Sequence, residues 1–279
     1  MKQFFFGPSE TPLLGTLHAP PAGSAGRVGV LLLYPFGNEY LRQLRAFKFL
    51  AEGIAGKGFP VLRLEVTGTG DAGGDDEDMG FERWRQDVAA GLAELQARTG
   101  VERFVLAGRR LGATLALLGA EGREGVDRLV LWDPILHGPS WLEQLRRDHE
   151  EFVTMYRGVD GNLVMPAPGT GPSHAPFEAL GQGFAERLLA DARALDLRRG
   201  VELAGSPRVL VLDSGPEPTL EPFAEALRGC GAGEVEFHHL PDSSARDVVN
   251  PLRVYVPAKM NRAIQAWLAR DREQEQPAA

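Results

Sequence analysis

Short β-type runs alternate with longer helical patterns along most of the sequence, and this alternation restricts the fold more than any other feature. "RVGVLLLYP" (27–35) is continuously apolar, as a strand buried on both faces must be. Residues 40–57 then carry Leu41, Leu44, Phe47, Leu50 and Ile54 at helical spacing. "PVLRLEV" (60–66), "RFVLAG" (103–108), "DRLVLWDP" (127–134), "PRVLVLDS" (207–214) and "EVEFHHLP" (234–241) read as further strands. Helices are expected at 81–98, 110–121, 219–229 and 252–269, and a hairpin from "KQFFF" and "LLGTLHA" opens the chain. The rhythm predicts an α/β fold, a doubly wound, mostly parallel sheet of about eight strands.

The rhythm breaks between Leu136 and Gly200. "GPSWLEQLRRDHEEFVTMYRG" and "FEALGQGFAERLLADARALDL" read as helical, and "MPAPGTGPSHAP" between them as a Pro/Gly loop. The expected division is a core of 1–136 and 201–270, a mobile lid or cap over 137–200, and a disordered tail at 271–279. The lid is expected above the C-terminal edge of the sheet, where open α/β folds bind ligands.

Net charge is −8, which argues against a nucleic-acid partner. One cysteine, Cys230, permits no intramolecular disulfide and suits a reducing cytoplasm. "MKQFFFGPSE" is not patterned as a signal peptide, no apolar run reaches the ~18 residues of a membrane helix, and neither secretion nor a membrane partner is expected. The six histidines lack metal-ligand spacing, and "DDED" (75–78) lacks that of a calcium loop, so no metal is expected. "GTGDAG" (68–73) satisfies G-x-G-x-x-G, but the carboxylates that follow would repel a pyrophosphate, and no cofactor is expected.

"LAGRRLGATLALLGA" (106–120) is a strand, a tight turn and a helix. The layout is that of the G-x-S-x-G nucleophile elbow, with Arg110 at the central position. A guanidinium has no lone pair for attack and stays protonated at physiological pH, which excludes serine acyl transfer here. Arginine at a helix N-terminus does suit an anion, through its planar fork and the free backbone N–H groups. Arg109, one residue earlier, is expected to turn away from the site.

The order of these landmarks resembles the α/β-hydrolase fold family over nearly the whole chain. "YPFGNEY", "RLGATLA" and "LVLWDP" are most similar to the branch labelled exosortase-associated hydrolases. The resemblance implies an oxyanion loop at Phe36 and Gly37, with backbone donors from Phe36 and Leu111. It places the triad acid at Glu217, near Asp213, and the triad histidine at Ala245, beside Arg246. Two triad members are therefore missing.

The candidate bases that remain are Glu217, Asp133 and Asp242. Arg110, Leu111, Phe36, Gly37, Arg246 and His137 are the candidate substrate-binding residues. Alternatively, Arg110 pairs with Glu217, Asp133 or Asp242 and plugs the site. The expected partner is a small-molecule or peptide substrate with a carboxylate, and a homodimer stays open. Three functions fit: an enzyme running isomerisation or epimerisation, elimination or cyclisation on an anionic peptide or acyl substrate; a non-catalytic ligand-binding or scaffold protein; or a hydrolase with another catalytic constellation.

Overall fold

A computed structural model describes residues 1–24, 26–157, 177–242 and 256–270. Ten strands and seven α-helices are described. The hairpin β1 (Lys2–Phe6) and β2 (Leu13–His18) leads into β3 (Val28–Leu33), α1 (Asn38–Gly56) and β4 (Val61–Glu65). Next come α2 (Phe81–Thr99), β5 (Arg103–Arg109), α3 (Leu111–Ala120) and β6 (Val126–Trp132). An insertion follows, with α4 (Gly138–Arg157), β7 (Phe177–Ala179), β8 (Gln182–Phe184) and α5 (Glu186–Ala194). The core resumes with β9 (Arg208–Asp213), α6 (Glu221–Arg228), β10 (Glu234–His239) and α7 (Ala258–Arg270).

Eight strands form one sheet in the order β1-β2-β4-β3-β5-β6-β9-β10. From β4 to β10 neighbouring strands are parallel, while β2 runs antiparallel to both β1 and β4. Side chains alternate across each strand, so β3 feeds both layers. Leu31 and Leu33 join Trp84, Val88 and Leu92 of α2 on one side. Val30 and Leu32 join Phe47 and Leu50 of α1, with Ile264 and Trp267 of α7, on the other. The chain places β4 on one side of β3 and β5 on the other. The loops after β3 and β5 therefore diverge, and the crevice between their C-terminal ends is the switch point where such sheets take ligands.

The sequence predicts one helix across 177–197, and the structure corrects this. Phe177, Leu180 and Phe184 have helical spacing, yet residues 177–184 form a hairpin turning at Leu180 and Gly181. Both turn residues have positive φ, 54° and 80°, as a two-residue hairpin turn demands. The "MPAPGTGPSHAP" loop, His174, the first residues of the expected last helix and the 271–279 tail lie outside the described residues, as do Arg246, Ser243 and Ser244.

Candidate active site

The elbow is built by two glycines and a buried helix. A Cβ on Gly108 would stand 2.3 Å from the Gly112 backbone, and one on Gly112 would stand 2.3 Å from the Leu33 carbonyl oxygen. Only glycine lets β5, α3 and β3 approach this closely. All ten residues of α3 are buried, so the helix is fixed in the core. Arg110 stands at its N-cap with φ 53° and ψ −123°, a strained geometry that aims the side chain outward from the turn. Its own N–H donates to the Trp132 carbonyl at 2.9 Å and ties the elbow to the end of β6.

The guanidinium is engaged. Arg110 Nε donates to Glu39 Oε1 at 3.0 Å, and Nη2 donates to Gln144 Oε1 at 2.9 Å. Nη1 meets no protein acceptor among the described residues. Burial works against the charge, and the carboxylates of Glu39, Asp133 and Asp148 outweigh it and hold Arg110 protonated. Glu39 lies in the first turn of α1, just after the loop Phe36–Gly37. Gln144 and Asp148 project from the same face of α4, one turn apart. The insertion thus reaches directly over the elbow.

Arg110, Glu39 and Asp148 line a small cavity with Phe36, Trp141 and Phe184. Its volume of about 20 Å³ suits a single water molecule. A neighbouring pocket of about 230 Å³ shares Phe36, Gly37, Asn38, Leu180 and Gln182 with it and extends to Tyr40 and Gly68–Gly70. The Asp148 carboxylate accepts no hydrogen bond from a described residue. Burial, then the nearby Glu39 charge, push its carboxyl up to about 6 against the pull of Arg110. Phe36 and Leu111 line a third space of about 10 Å³ beneath the elbow. Their backbone N–H groups have no protein acceptor among the described residues.

The other expected site residues sit elsewhere. Glu217 is exposed on the loop after β9 and does not line the cavity at Arg110. Asp133 is buried at the end of β6, where its carboxylate accepts from the Ser214 N–H at 2.7 Å and from the Ser214 hydroxyl. It is spent joining β6 to the loop after β9, and reaches Arg110 only through its charge. Asp242 donates its N–H to the Ser214 carbonyl at 3.1 Å and is likewise outside the cavity wall. His137 turns to Ser140, with Nδ1 2.7 Å from the hydroxyl, instead of to Arg110. Glu39, which the sequence analysis did not name, is the ion-pair partner of Arg110 in place of Glu217, Asp133 and Asp242, the three carboxylates of the plugged-site alternative. Arg109 does not line the Arg110 cavity and is 2% exposed, stacked 4.6 Å over the Trp132 ring.

No family model matches the chain. Over 94 residues, 33% of each chain, it is 37% identical to N-formylmaleamate deformylase of Pseudomonas putida. It spans a third or less of the length of the curated relatives it matches. Among solved structures it is similar to Est1E from Butyrivibrio proteoclasticus, with TM-score 0.66 and 15% identity over 96% of this chain and 98% of the other. It is also similar to the bottromycin epimerase BotH in complex with bottromycin A2, with TM-score 0.59 and 19% identity over 96% of this chain and 100% of the other. Likeness at these identities carries the fold and not the activity.

Proposed function

We propose that this chain, which has the α/β-hydrolase fold, uses it as a non-hydrolytic ligand-binding site, with Arg110 as the anchor for a ligand carboxylate under the α4–β8 insertion acting as a lid. The observation that carries this reading is the engaged guanidinium at the elbow, held by Glu39 and Gln144 where a hydrolase needs a nucleophile. A ligand carboxylate approaches the open Nη1 edge and competes with Glu39 for the fork. Its body fills the larger pocket. Fluorophosphonate labelling and ester turnover stay at background in this reading. Ligand-observed NMR detects carboxylate compounds that bind wild type and fail to bind Arg110→Ala. Binding that survives Arg110→Ala counts against the anchor.

A second reading is proton transfer beside a carbonyl, of the isomerisation or epimerisation class. Asp148 supports it, because a carboxyl near 6 facing the cavity is well tuned for general acid–base work. The likeness to the epimerase BotH is compatible with it. In this scheme Asp148 takes a proton from carbon, and the C–H electron pair passes into the carbonyl as an enolate. The Phe36 and Leu111 N–H groups hold the enolate oxygen, and a proton returned to the same carbon closes the cycle. Solvent deuterium entering a bound ligand at carbon, and absent with Asp148→Asn, separates turnover from binding alone.

A further inference from the structure

The charges facing the Arg110 cavity do not balance. Arg110 supplies one positive charge, and Glu39 already meets it at 3.0 Å. Asp148 faces the same space with no donor of its own. Asp133 adds a third carboxylate nearby, although the Ser214 N–H and hydroxyl satisfy it. A purely anionic ligand would enter a site that already carries more negative than positive charge, and like charges this close in a half-buried wall repel strongly. The two cations that act on Asp148 are committed elsewhere, Arg110 to Glu39 and the exposed Arg147 to Glu143, so what the site lacks is a cation bonded to Asp148. Its apolar wall suits one: Phe36, Trp141 and Phe184 meet edge to face, at centroid separations of 5.6 to 6.3 Å. Aromatic faces attract an ammonium.

We propose that the cavity takes the zwitterionic end of a free α-amino acid, its carboxylate on Arg110 Nη1 and its ammonium on Asp148. This rests on the reading of Arg110 as a carboxylate anchor and adds the second charge. The space at Arg110, about 20 Å³, holds a single water as it stands, so seating both charged groups requires Glu39 and Gln144 to release the guanidinium and the wall to open. The amino-acid side chain passes Gln182 into the pocket of about 230 Å³, beside Leu41 and Leu180. With both ends in place the ligand adds no net charge, which an acid alone cannot do.

Calorimetry on the full chain tests this with three probes: L-phenylalanine, N-acetyl-L-phenylalanine and L-phenylalaninamide, at a pH where Asp148 is ionised. Phenylalanine is expected to bind about tenfold tighter than either capped form. Asp148→Asn should erase the preference for the free amine and leave N-acetyl-phenylalanine binding in place. Arg110→Ala should lose both acids. If N-acetyl-phenylalanine binds wild type as tightly as phenylalanine, and Arg110→Ala abolishes both, the ammonium site is overturned and the carboxylate anchor stands. If neither acid binds wild type, both fall. An unchanged amine preference in Asp148→Asn also overturns the proposal.

Discussion

In the proposed reading Arg110 puts a permanent cation where an attacking group would stand, and no described residue lining the cavity offers a nucleophile and base in its place. Arg110→Ser restores the hydroxyl but no described histidine lines the cavity to take its proton. The variant is expected to stay at background in fluorophosphonate labelling and ester turnover, and a fluorophosphonate adduct on the introduced hydroxyl would overturn the exclusion of acyl transfer. Arg109, one residue away, makes a poor control for Arg110. It is buried against Trp132, so Arg109→Ala removes packing and a desolvated cation–ring contact. A loss of about 2–4 kcal/mol is expected in urea unfolding, on the scale of large-to-small core changes. A loss under about 0.5 kcal/mol, the range of surface substitutions, would show that the stack contributes nothing. The unusual character of Arg110 was legible in the sequence, because its place between Gly108 and Gly112 fixes the turn. Its partner was not. Glu39 lies 71 positions away, and only the closeness of the β3 and β5 ends brings them together.

The insertion is held to the core by side chains that span elements. Thr114 on α3 is fully buried and bonds residue 135 twice: its hydroxyl donates to the Ile135 carbonyl at 2.8 Å and accepts the Ile135 N–H at 3.0 Å. That clasp sets where the chain leaves β6 for the insertion. Thr114→Val keeps the shape and β-branching but leaves a buried N–H and C=O of Ile135 without partners. A cost of about 1–3 kcal/mol is expected, with faster amide exchange at Ile135 than in β5. Equal exchange in variant and wild type would mean the clasp carries no load. Within the insertion, His149 on α4 accepts the Leu180 N–H at 3.0 Å and seats the β7–β8 hairpin. The core elements were readable from periodicity, since β3 to β6 are buried runs between helical patterns. This hairpin was not, because Phe177 and Phe184 frame a spacing that also fits a helix. The turn signal was Gly181 followed by Gly183. Asp148 is illegible in the sequence for a different reason: its place depends on α4 crossing the elbow, which no local pattern encodes.

Across the whole molecule, two titrations, one buried and one half-exposed, pull stability in opposite directions as pH falls. His18 on β2 is buried beside Arg63, whose Nε donates to its Nε2 at 2.9 Å. Burial, then the Arg63 charge, hold its pKa down at about 4 against 6.5 unfolded. The unfolded chain therefore takes up this proton first, and the contribution of neutral His18 is complete above 6.5 and lost as pH falls towards 4. Between pH 7 and 5 that loss is about 2 kcal/mol. Asp148 works the other way. Burial, then Glu39 on α1, raise its pKa to about 6 against 3.8, with Glu151 on its own helix adding to the push and Arg110 and Arg147 pulling down. The folded state therefore takes up this proton first, and stability is regained as pH falls through 6. Solvent screening of a half-exposed carboxyl limits that gain to about 1 kcal/mol. Asp148→Asn removes the gain and leaves His18 in place. Urea midpoints at pH 7 and pH 5 should thus separate more in Asp148→Asn than in wild type, by about 1 kcal/mol of stability. The variant should also be more stable than wild type at pH 7, where Asp148 is ionised without a partner. If the two proteins lose equal stability between these pH values, Asp148 does not titrate in the fold, and neither its acid–base role nor its place opposite Arg110 holds.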